Sequence, residues 1–174
     1  MNSLNKTMPK NNIPRGLNNN TPLNIRYSEL NPWLGRKEVE NKKDGSFEEF
    51  THVYYGIRAG IILVRNYIEK GHKTVEEIIA RWAPPSENKT GIYVKHVCEW
   101  SGLNPGQKIN WKNPNDMIAL ISAMIRQEVG AWSFEWRVKV ASTYITYITN
   151  VQPLHAGRYE MVMAAIESLY GGPL

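Results

Sequence analysis

The chain has one cysteine, Cys98, in 174 residues. A single thiol excludes an internal disulfide framework and a cysteine-built zinc site. Cys98 sits beside Val97, His96 and Trp100 in a helical pattern, which suits a buried structural thiol rather than a nucleophile. Acidic residues are absent from the first 20 positions, which carry Lys6, Lys10 and Arg15. Those positions also lack an apolar stretch, so no secretory signal is visible. No apolar run nears the roughly 18–20 residues of a membrane span. The longest, "GIILV", reads as one side of a helix. A Gly-rich phosphate loop, a nucleophile elbow and an HExxH pair are all missing. The four histidines, His52, His72, His96 and His155, show no metal-ligand spacing, so no metal or organic cofactor is expected.

What is present fits one globular domain. The hydrophobic fraction is 42%, ordinary for a folded protein, and the length is enough to bury a sizeable core. The net charge of +5 suits an anionic partner: cell wall, nucleic acid or a membrane surface. No basic recognition helix or RNA-binding signature adds weight to nucleic acid.

Residues 1–14 carry no periodicity and read as a disordered basic arm, leaving 15–174 as the domain. Residues 15–50 read as turns with short strands. "LNIRY" and "GSFEEF" are expected to pair as a small β-hairpin element, with "NKKDG" as a turn. Apolar residues then recur at helical spacing, from Val53 through Ile57, Ile61 and Val64 to Ile68, before Gly71 as a stop. Thr74 with Glu77 forms a capping box for a helix that ends near Trp82, ahead of Pro84 and Pro85. A third helix is expected over about Thr90–Trp100 and a fourth from an Asn115 cap to about Glu128, before Gly130. In 132–150, Val140, Tyr144, Tyr147 and Val151 share a helical face, so helix is preferred over strand. A last helix is expected over about Tyr159–Tyr170. The class is mainly α, with some β (α+β).

The carboxylates carry the sharpest chemistry. Glu128 follows Ile121, Met124 and Ile125 by seven, four and three positions, so it falls on an apolar stripe. It also lies in the last turn, against the negative end of the helix dipole. Both features favour the neutral acid, the form a general acid needs to protonate a leaving oxygen. Glu87 or Asn88 is placed to cap the third helix, with an active-site role for Glu87 as the alternative. If Phe47 and Phe50 pack inward, Glu48 or Glu49 faces a cleft, as a second carboxylate. Of six tryptophans, Trp33 and Trp132 lie near loops, where an indole can stack on sugar rings; the others are expected in the core. Asn18, Asn19, Asn20 and Asn24 suit Asx-turns, or hydrogen bonds to N-acetyl groups.

The run "RGLNNNTPLNIRY…PWLG…FEEF…YGIRAG…WAPPSENKTGIYV" resembles a family of phage and prophage proteins with an N-N-P-x-N-I-R segment, a W-x-G, an F-x-x-F and a W-A-P-P-x-E-N-x-T-x-x-Y. The likeness covers about residues 15–100, and Thr21 before Pro22 is its one departure. It implies a virion-associated protein. A second likeness is to lysozyme-like glucosaminidases, which carry a catalytic E-S-G, an N-N-x-F-G-I-K and a W-x-G. Asn19, Asn20, Asn24, Ile25 and Arg26 are similar to the second element, Trp33 and Gly35 to the third. Glu128-Val129-Gly130 stands where a circular permutation would put the first.

These likenesses imply a lysozyme-like helical domain acting on peptidoglycan glycan strands as a glycosidase or lytic transglycosylase, with other virion proteins as further partners. It would reside in the virion or host cytoplasm and reach the wall without a signal peptide. Glu128, Glu48 and Glu49 are then the catalytic candidates. Asn19, Asn20, Asn24, Arg26, Trp33, Glu87, Tyr93 and Trp132 are the substrate-binding candidates. The rival expectation is a non-catalytic virion structural protein on the same scaffold.

Overall fold

The computed structural model describes residues 13–130 and 134–149. Over these the chain is mainly α: α1 (Arg15–Asn18), α2 (Val53–Glu69), α3 (Val75–Trp82), α4 (Thr90–Ser101), α5 (Pro114–Val129) and α6 (Phe134–Ile148). The basic arm up to residue 12, Trp132, Val151 and the expected 159–170 helix lie outside the described residues.

The ends of the helices follow their local chemistry. His52 Nδ1 accepts from the Tyr54 N–H at the start of α2. The Thr74/Glu77 capping box opens α3, with both reciprocal bonds formed. Gly102 and Gly130 close α4 and α5 in the left-handed conformation. Two caps differ from expectation. The N-cap of α5 is Asn113, because Pro114 has no N–H to place inside the helix and so occupies its first position. The N-cap of α4 is Lys89, with no side-chain cap bond; Glu87 is drawn away by Arg26, and Asn88 donates to the Pro84 carbonyl.

Helix α5 is central. Met117, Leu120, Ile121, Met124 and Ile125 are fully buried, and Ser122 and Ala123 nearly so. A helix covered on several faces needs neighbours on several sides. Here α4 and α6 pack along it, and α2 touches both α5 and α6. Val140 and Tyr144 bring α6 in, and the Tyr144 hydroxyl donates to the Trp111 carbonyl at 2.6 Å. Each fully buried aliphatic side chain of this kind contributes about 1.5–3 kcal/mol.

The β content is smaller than the alternation in 15–50 suggests. Arg26 bridges Phe47, flanked by bonds from Tyr27 N–H to Ser46 and from Glu48 N–H to Ile25. Arg36 bridges Phe50. These pairings are isolated bridges, not strands, because residues 42–46 turn on Asp44, whose Oδ1 accepts from the Ser46 and Phe47 N–H groups. The segment 20–25 instead lies along α2. A Cβ on Gly56 would stand 2.0 Å from the Asn20 carbonyl oxygen, and one on Gly60 2.1 Å from Leu23 Cδ1. The glycines in "YGIRAG" are therefore the bed in which the Asn-rich loop rests.

Candidate functional site

Beside that loop is a cleft of about 460 Å3. The N-terminal segment supplies Arg15, Asn24, Arg26 and Asn31, with Phe47 beside them. The end of α3 and the turn after it supply Arg81, Trp82, Glu87 and Asn88. Glu128 enters from the last turn of α5. The lining is mostly polar, with three guanidinium groups against two carboxyls.

Glu128 is half-buried and held from three directions. Its Oε1 accepts from the Trp82 indole N–H at 3.1 Å and from the Tyr93 hydroxyl at 2.9 Å. Its Oε2 accepts from the Asn24 amide at 3.0 Å. All three donors are neutral, and no guanidinium is among them. Burial pushes the Tyr93 hydroxyl well above its usual range, with the neighbouring Glu128 adding to the shift, so Tyr93 stays an O–H donor. Residues 120–125 of α5 are buried on every face, whereas Glu128 in the last turn is half-buried and opens on the cleft. The Asn24 backbone is left-handed, at φ +47°, which turns its amide toward Glu128. Its Oδ1 is buried without a hydrogen-bond partner among the described residues.

Across the mouth, Arg26 pairs with Glu87 at 2.8 Å; their side chains are 73% and 56% exposed. Arg15 stacks over Phe47 at 3.7 Å from the ring centre, and Arg81 lies over Tyr67 at 5.3 Å.

Of the residues singled out in the sequence, Asn24, Arg26, Glu87 and Glu128 line this cleft, and Tyr93 reaches Glu128 from behind it. Of the other described candidates, Glu48, Glu49, Asn19, Asn20 and Trp33 are not among its lining residues. Glu48 and Glu49 are buried, while Phe47, expected to pack inward, faces the cleft. Burial pushes the Glu48 carboxyl up, more than the Ser28 N–H and the Arg36 charge pull it down. Glu49 is also buried, but N–H groups of Asp44 and Lys43 and the Lys37 ammonium outweigh that burial and hold it below its ordinary value. Both carboxyls anchor loops.

Asn19 donates to Asp44 at 2.9 Å and Asn20 to the Phe50 carbonyl at 3.0 Å, so both tie the loop to the 44–50 segment. Trp33 packs against the core. Sequence reasoning missed Trp82 as a cleft residue. Its spacing from Val75, Ile78 and Ile79 reads as core, and only the 46-residue link from its indole N–H to Glu128 sets it apart.

No protein-family model matches the chain. Over 124 residues, covering 70% of this chain and 74% of the relative, it is 42% identical to Protein P5 of Pseudoalteromonas phage PM2.

Proposed function

The chain belongs to the family of Protein P5 of Pseudoalteromonas phage PM2, and from that premise we propose that it is a non-catalytic structural protein of a phage virion. One observation supports the non-catalytic part. Both oxygens of Glu128 accept from groups of the fold itself, drawn from the N-terminal loop, α3 and α4. A carboxyl used this way ties segments together. A general acid, by contrast, must turn an oxygen to the substrate and give it a proton. Glu48 and Glu49, the other catalytic candidates, are buried in loop anchors and leave the cleft without them. The reading is tested on purified particles of a phage encoding the chain. Expected is co-sedimentation with the particle, detected by mass spectrometry; absence from the particle overturns it.

A second reading keeps its own support. Glu128 and the Asn24–Arg26 loop line one cleft, the arrangement a peptidoglycan hydrolase or lytic transglycosylase on a lysozyme-like scaffold requires. Glu128 would protonate the glycosidic oxygen, and Glu87 is the other carboxylate on the cleft wall. The distance between the two carboxyls in a bound complex would set retention or inversion. Incubation with purified peptidoglycan separates the readings. The structural reading expects no release of fragments. Release by the wild type that Glu128→Gln abolishes, with the variant still folded, establishes the hydrolase instead.

A further inference from the structure

The Arg26–Glu87 pair has a small role in the fold. It spans the cleft mouth between positions 61 apart in the chain, and both side chains are largely in solvent. Exposed pairs of this kind contribute about 0–1 kcal/mol. Either partner can therefore be exchanged for an external group at little cost. The cleft volume of about 460 Å3 falls in the range of roughly 300–1,000 Å3 typical of small-molecule sites. Its polar lining suits a hydroxyl- and amide-rich ligand, with Asn24, Asn31 and Asn88 as amide partners. Its charge asymmetry suits a negative one. Arg81 lies over a ring, which fixes its guanidinium plane while leaving its edge for an acceptor, whereas Arg15, stacked on Phe47, also faces Asp44 with its Nε 4.0 Å from Oδ2.

We infer that the cleft takes a carboxylate-bearing saccharide, and that Glu87 is a built-in competitor which the ligand's carboxylate displaces from Arg26. This rests on reading the cleft as a cell-wall glycan site, whether the strand is held or cleaved. The guanidinium fork accepts a carboxylate through two parallel N–H bonds, so a sugar acid replaces Glu87 in kind. A neutral sugar has nothing to offer Arg26 that Glu87 does not already supply. Glu87 therefore acts as a selectivity filter: it disfavours neutral glycans and yields to acidic ones.

The experiment is calorimetric titration of the full chain with three probes: N-acetylglucosaminyl-N-acetylmuramic acid, a glucuronate-containing disaccharide, and the neutral N,N′-diacetylchitobiose (hereafter chitobiose). The wild type is expected to bind an acidic probe more tightly than chitobiose. Glu87→Gln, which removes the competing anion, is expected to tighten acidic binding by up to about fivefold, the equivalent of the pair's upper energy. Arg26→Ala is expected to weaken acidic binding by a larger factor than neutral binding; equal loss for both kinds of probe overturns the inference. Both sites are exposed, and thermal melts check that each variant stays folded. Chitobiose binding as tightly as the acids, or acidic binding that Glu87→Gln leaves unchanged or weakens, overturns the inference alone. Failure of all three probes to bind overturns it together with the cell-wall reading. A preference between the two acidic probes distinguishes a lactyl carboxylate from a uronic one.

Discussion

Gly56→Ala is the sharpest test of how the cleft is held in place. In most helices this substitution stabilises, by up to about 1 kcal/mol. At Gly56 the new Cβ would stand 2.0 Å from the Asn20 carbonyl oxygen and 2.9 Å from both the carbonyl carbon and Thr21 Cα. These are backbone atoms, so no rotamer change relieves them. Asn20 is already constrained, with φ at +53° and its amide donating to Phe50. Overpacking against backbone costs about 3 kcal/mol, at the upper end of the usual range. The net is a destabilisation of about 2 kcal/mol, or a melting temperature lower by roughly 4–8 °C for a domain of this size. Differential scanning calorimetry reads the shift. Gly91→Ala is the control: it lies in the first turn of α4, and its Cβ would meet nothing within 4 Å. It is expected to gain about 0.5–1 kcal/mol. If Gly56→Ala melts at or above the wild type, the Asn-rich loop does not lie in the α2 groove as described.

Tyr93→Phe removes one of the two donors on Glu128 Oε1 and should lower stability by about 1–2 kcal/mol, seen as a lower urea midpoint at constant slope. An unchanged midpoint would remove Tyr93 from the tie. Tyr144→Phe deletes the 2.6 Å bond to Trp111 and should cost about 1 kcal/mol, read in the same titration. The two buried glutamates should respond to pH with opposite signs. Folding raises the Glu48 carboxyl above its ordinary 4.5, so its contribution is present at low pH and fades as pH rises from there. Glu48→Gln should therefore gain on the wild type as pH climbs above 4.5, in melts taken across pH 3–8. Folding lowers Glu49, so its contribution is present above 4.5 and is lost as pH falls through its folded value. Glu49→Gln should be the less stable protein at neutral pH and converge with the wild type in acid. Parallel curves for the two variants would refute both assignments.

Helices α2 to α5 were legible because their signals are local, whereas the short α1 falls where only turns and strands were expected. A capping box at Thr74–Glu77, glycines at 102 and 130 and a 3.6-residue repeat in α2 need no distant partner to be read. The cleft was legible only in part. Arg26, Asn24 and Glu87 stood out by their motifs, but Glu87 looked like a cap, since its partner Arg26 lies 61 positions away. The reading of 47–50 with both phenylalanines packed inward fails where Asp44 turns the chain and both glutamates serve as anchors for N–H groups. The side of the chain that buries its acids cannot be told from the spacing of two phenylalanines. Trp82 illustrates the limit best: an indole is apolar by pattern and a donor by geometry, and only the second property puts it in the site.

Glu128 gathers Asn24, Trp82 and Tyr93 from 104, 46 and 35 positions away. The consequence is preorganisation. Among the described residues, the wall that carries Asn24 and Trp82 is pinned to a central helix, so that wall is in place before a ligand arrives. Association should then follow lock-and-key kinetics, with a single bimolecular phase. Affinity among related ligands should vary through how fast they leave, not how fast they arrive.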